Sequence, residues 1–129
     1  MSASRRSARS LLALAVAGLA LAAGACGGDS EPVLSAQAAQ GKQISRDKSC
    51  TSCHTANGAK AEGPTWKGLA GSTVQLADGT SVVADDAYLK LAITQPRAQQ
   101  VAGYKTAMPT TPMTEDEIAA VLAYIHALR

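Results

Sequence analysis

The sequence predicts a small, mainly α-helical domain with one β-hairpin, and three observations predict it. Ile118, Val121, Leu122, Ile125 and Leu128 recur at helical spacing up to the C-terminus. Weaker patterns of the same period run over residues 36–49 and 85–95. Alternation of apolar and polar residues occurs over Thr73 to Val83, around Asp78-Gly79, a pair suited to a primed hairpin turn. A chain of 129 residues suits one small domain, and with one Trp, three Tyr and no Phe its own side chains build only a thin core. Something other than side chains is expected to help fill it.

The first 25 residues read as an export signal. Arg5, Arg6 and Arg9 precede a 15-residue apolar run, Leu11 to Ala25, shorter than the roughly 20 residues that span a bilayer. An uncleaved anchor is the alternative. Ala23-Gly24-Ala25-Cys26 resembles a bacterial lipobox, which implies that Cys26 becomes a lipid-modified first residue. Residues 26–40, polar, glycine- and alanine-rich and punctuated by Pro32, read as a tether. As a random coil its 15 residues from Cys26 to Gly41 average about 20 Å end to end, and about 50 Å when stretched. The folded domain is then expected over 41–129.

Charge excludes one class of partner. Of 12 basic residues three lie in the leader, leaving nine against ten acidic ones beyond Cys26. A nucleic-acid binder needs a basic face that releases phosphate counterions, and none is available here.

Within the domain, Ala38, Gly41, Ile44 and Lys48 line one side of a first helix, while Asn57-Gly58 and Glu62-Gly63-Pro64 mark loops. A second helix should begin near Asp85 and stop before Pro96, with Asp85 and Asp86 at its positive end and Tyr88, Leu89, Ala92 and Ile93 turned inward. The last helix starts at a capping box, Thr114 with Glu117.

Cys50-Thr51-Ser52-Cys53-His54 carries the chemistry. It is the C-x-x-C-H pattern of covalent haem attachment, and with Cys26 at the processing site it accounts for every cysteine without a disulfide. Two thiols on one turn can each add to a vinyl group of the same porphyrin, and the adjacent imidazole is carried under the iron. His54 would use one ring nitrogen for the iron and donate from the other, usually to a backbone carbonyl. A thioredoxin-like redox pair expects a strand and helix context that does not precede Cys50, and a structural zinc site needs four ligands, with only His126 left to supply one.

An electron-transferring mono-haem domain needs a sixth ligand, usually Met sulfur. Beyond Met1 the chain has Met108 and Met113. Met108, followed by Pro109, lies in a loop long enough to cross the face opposite His54, whereas Met113 sits one residue before the cap Thr114. His126 falls on the flank of the last helix, where a solvated histidine is expected. Trp66 is expected against the haem edge, its indole N–H offered to a propionate, with plain core packing as the alternative. Pro64 and Tyr104 are placed in the same pocket.

From Gly41 to Leu128 the chain resembles a class I cytochrome c, and more closely the haem-c domain fused to subunit II of caa-type cytochrome oxidases. The resemblance rests on Cys50 to His54, Gly63-Pro64-Thr65-Trp66-Lys67-Gly68-Leu69, the hairpin around Asp78-Gly79, Val101-Ala102-Gly103-Tyr104, Met108-Pro109 and Ala123-Tyr124-Ile125. It implies three or more helices around one haem c attached through Cys50 and Cys53, with iron ligated by His54 and Met108. It also implies single-electron relay towards an oxidase; a terminal oxidase or a quinol-oxidising complex is the expected partner, and the export signal places the domain outside the cytoplasm. The copper domain and membrane helices of subunit II have no counterpart here, so a free-standing module on a lipid anchor is expected, with redox proteins as partners and no small-molecule substrate. Ser45 stands where the family usually has an aromatic, which predicts a weaker contact between first and last helices. The segment from Pro109 to Glu115 is also shorter than usual. A peroxidase-like enzyme or gas sensor is the alternative, and it would require an open iron position with a distal acid or base.

Overall fold

The computed structural model describes residues 32–129. The leader, Cys26 and the first part of the tether lie outside those residues. The domain has three helices, α1 (Ala36–Asp47), α2 (Asp86–Thr94) and α3 (Glu115–Ala127), and a two-stranded antiparallel sheet, β1 (Thr73–Gln75) and β2 (Ser81–Val83). Among the described residues no helix is long and apolar enough to cross a membrane.

Helix α1 starts at Ala36 because the Ser35 hydroxyl accepts the Ala38 N–H at 3.2 Å. It therefore takes in residues 36–40, which composition alone assigns to the tether. Its buried positions, Ala38, Gly41 and Ser45, are all small. That stripe brings α1 so close to α3 that a Cβ on Gly41 would lie 1.9 Å from the Ala120 carbonyl oxygen. Ser45, fully buried, donates its hydroxyl to the Gly41 carbonyl at 2.7 Å. The weaker contact expected from Ser45 is not what forms: the two helices cross in close backbone proximity over small residues.

Helix α3 is capped as expected: Thr114 Oγ1 accepts the Glu117 N–H, and the Glu117 carboxylate accepts the Thr114 N–H at 2.8 Å. Its buried face is wider than the predicted stripe. Ala120 and Tyr124 are buried beside Ile118, Val121 and Ile125, and Leu122 is only half-buried. Helix α1 covers Ala120, which a single-helix periodicity does not reveal. Asp85 caps α2 through the Tyr88 N–H at 2.8 Å, and Tyr88, Leu89 and Ile93 face inward while Ala92 is half-buried.

The hairpin lies where it is expected, but its turn differs. The Gly79 N–H donates to the Leu76 carbonyl and the Leu76 N–H to the Thr80 carbonyl, and of Asp78 and Gly79 only Gly79 has positive φ, at 88°. This is a three-residue loop closed by a glycine in the left-handed region, not the two-residue primed turn. Asp78 is the reason: its carboxylate accepts both the N–H and the hydroxyl of Thr80, at 2.9 and 2.7 Å, which holds it in an ordinary turn conformation. Strand β1 also runs on into a bridge between Leu76 and Val101. The core gathers Trp66, Leu76, Tyr88, Leu89, Ile118, Tyr124 and Leu128. Several of its members, including Val74, Ile93, Val121 and Ile125, also form the wall of a large cavity.

Candidate functional site

The cavity begins where α1 ends. Ser49 takes a left-handed conformation, φ 60° and ψ 20°, and turns the chain into a 3₁₀ turn, Cys50–Ser52. Such a conformation costs a non-glycine residue about 1 kcal/mol, so the surrounding structure must impose it. The Cys50 carbonyl then accepts the N–H groups of both Cys53 and His54, at 3.2 and 3.0 Å. This tight turn places Cys50, Cys53 and His54 together on the cavity wall, with both cysteines as free thiols. Burial pushes the Cys50 thiol above its ordinary pKa, so it is a protonated thiol in the absence of a partner.

The loop that follows doubles back over His54. Its closure rests on the Gly63 N–H donating to the Cys53 carbonyl at 2.9 Å, and on the Thr55 carbonyl accepting the Trp66 N–H at 2.7 Å and the Thr65 hydroxyl at 3.1 Å. Pro64 is thereby delivered to the imidazole: His54 Nδ1 lies 2.7 Å from the Pro64 carbonyl oxygen. A carbonyl can only accept, so the ring proton sits on Nδ1 and Nε2 keeps its lone pair. Burial lowers the His54 pKa below its ordinary value, the Pro64 carbonyl opposing it in part, which favours the neutral, ligand-competent ring. Trp66 stacks on the same imidazole, with centroids 5.2 Å apart and planes 14° from parallel, and meets Tyr124 edge-on at 6.0 Å. Gly63 closes the cradle. A Cβ there would stand 2.8 Å from His54 Cε1, closer than atoms pack.

The cavity measures about 690 Å³, within the roughly 300–1,000 Å³ of cofactor sites. Cys50, Cys53, His54, Pro64, Trp66, Tyr104 and Met108 all line it. The structure thus gathers every domain residue expected at the site around one cavity. Met113 lines it too, while packing against the core cluster. His126 does not: its Nε2–H donates to Asp86 at 2.5 Å and its Nδ1 accepts from Arg129 at 3.3 Å, so it is a paired rather than a merely solvated histidine. Trp66 has a clear role that sequence did not suggest, as the support of the imidazole. Lys48, Glu62 and Thr106, also on the wall, carry no local motif and only their tertiary partners reveal them.

The chemistry of this donor set fits a covalent haem. Two thiols on one turn, an imidazole with its distal nitrogen already bonded, and a large, largely apolar cavity are what the C-x-x-C-H pattern requires. Fold and site together therefore define a helical mono-haem domain of the electron-carrying class. The family model for cytochrome c matches residues 38–129, and the chain belongs to that family. Its members hold haem c covalently through cysteines, and here Cys50 and Cys53 occupy those positions. No curated protein matches the chain.

Proposed function

We propose that this cytochrome c is an exported, membrane-tethered one-electron carrier whose iron is held by His54 and Met108. The observation that carries the reading is the bond from His54 Nδ1 to the Pro64 carbonyl, which leaves Nε2 as the ring's free donor in a cavity that Met108 also lines. When bound, haem c supplies a one-electron iron couple. The chain's own contribution is orientation and exclusion of water: Trp66 and Gly63 fix the plane of the imidazole, Pro64 fixes its tautomer, and the apolar wall keeps the surroundings unchanged between oxidation states. Met108 is favoured over Met113 because Met113 is committed to the core beside the α3 cap.

Cys26 is the lipid-modified residue in this reading, and the tether behind it lets the domain reach redox proteins at the outer face of the bacterial cell membrane. Near-neutral charge beyond Cys26 makes electrostatic steering weak, and tethering replaces it by raising effective concentration. The resemblance to the haem-c domain of caa-type oxidase subunit II supports a terminal oxidase branch as the destination.

The test is the optical spectrum of the haem-loaded protein and of Met108→Ala. Wild type should be low-spin in both oxidation states, with a far-red sulfur-to-iron band that the variant lacks. A wild type without that band, or one whose reduced form binds carbon monoxide rapidly and completely, would overturn the reading.

A further inference from the structure

The segment from Gly103 to Met113 contains Met108 and has no helix or strand. Among the described residues, its 11 members share two hydrogen bonds, one near each end. Near the first end the Thr106 hydroxyl donates to Glu62 Oε2 at 2.7 Å. Near the second, Lys48 Nζ donates to the Pro112 carbonyl at 3.2 Å. Both anchors come from the wall that carries the haem motif. Lys48 lies two residues before Cys50, and Glu62 adjoins Gly63, the glycine pressed against the His54 ring.

Lys48 is itself held. Its ammonium pairs with Glu117 Oε1 at 3.2 Å, while the other oxygen of Glu117 accepts the Thr114 N–H at 2.8 Å. One charged network therefore joins the C-terminus of α1, the end of the methionine segment and the cap of α3. Thr106 lies two residues before Met108 and Pro112 four after, so the anchors bracket the sulfur. A segment lacking backbone hydrogen bonds holds its conformation through proline stiffness, packing and such anchors, and bonds to charged groups are the stronger kind.

We propose that Lys48 and Glu62 are positioning residues that clamp the methionine segment across the cavity and so set how often the sixth iron position opens. This rests on Met108 as the sixth ligand. Breaking either anchor leaves closure to one end of the segment. Because the anchors share no partner, their effects on opening should multiply.

The experiment uses the haem-loaded, oxidised protein and measures the rate of imidazole binding at saturating imidazole, where displacement of the sixth ligand limits the rate. Thr106→Val and Lys48→Met should each speed binding about fivefold, the size of a charged contact weakened by exposure to solvent, and the double variant about 25-fold. Thr106→Ser and Lys48→Arg, which keep a donor, should return to the wild-type rate. Asp78→Ala removes two hydrogen bonds at the hairpin tip, and as a control it should leave the rate unmoved. Wild-type rates in Thr106→Val, Lys48→Met and Glu62→Ala, with the sulfur-to-iron band intact, would overturn the clamp while leaving Met108 as ligand. Equal acceleration by Asp78→Ala would also overturn it, since the effect would then be general loosening. Absence of the band in wild type would instead sink the ligand assignment itself.

Discussion

Replacing Gly41 by alanine sets two effects of opposite sign against each other. Alanine is the better helix former by about 1 kcal/mol, so propensity alone predicts a more stable protein. The tertiary structure predicts the reverse. The added Cβ would fall 1.9 Å from the Ala120 carbonyl oxygen, 2.4 Å from its carbon and 2.9 Å from the Val121 nitrogen. All three are backbone atoms of α3, so no side chain can rotate away. Ordinary contact begins at 3.4 Å, and helices α1 and α3 must therefore part by about 1.5 Å (3.4 minus 1.9) at their crossing. That separation also loosens Ala38 and Ser45, the other buried members of the stripe. Overpacking of this severity costs about 3–4 kcal/mol, at or beyond the usual upper end, and subtracting the propensity gain leaves a loss of about 2–3 kcal/mol. Against a typical domain stability of roughly 5–15 kcal/mol this is a large fraction. Urea unfolding of the haem-loaded protein, followed by helical circular dichroism and by the haem absorption band, measures it. A Gly41→Ala variant as stable as wild type, or more so, would refute the close crossing.

Two other predictions follow from the site and its surroundings. Gly63→Ala should tilt the His54 ring, because its Cβ would lie 2.8 Å from Cε1, and so weaken the bond to Pro64; a shifted haem spectrum with the haem still covalently attached is expected, and an unchanged spectrum would count against the cradle. The Thr114 N–H and Lys48 hold the Glu117 carboxyl below its usual pKa, so its stabilising contribution is complete above the unfolded-state value, about 4.3, and is lost as pH falls through the lower folded value. Glu117→Gln should therefore lose stability at neutral pH and converge with wild type in strong acid, as thermal melts across that range would show; parallel curves would contradict it.

What could be read in advance was whatever depends on neighbours along the chain. The C-x-x-C-H spacing, the Thr114–Glu117 box, the acidic start of α2 at Asp85 and the stripe of α3 all act within four residues, and the linear pattern carries them. Limits showed where a second partner entered: the hairpin turn changed type because the Asp78 side chain bonded Thr80, and the folded domain reaches back before Gly41 because α1, starting at Ala36 as its period indicates, is capped by Ser35. The site residues were recognisable as types, since thiols, imidazole and thioether are the groups that bind porphyrin and iron.

The helices, the attachment motif and the need for a filling group in a thin core are legible along the chain, because propensity, capping and periodicity are local. The orientation of His54 by Pro64, the stacking of Trp66 on that ring, the crossing of α1 and α3 on small residues and the reach of Lys48 to Pro112, 64 residues away, came from folding in three dimensions. Those contacts depend on which surfaces meet after the chain closes on itself, and no period or spacing in the chain encodes a meeting between segments that far apart.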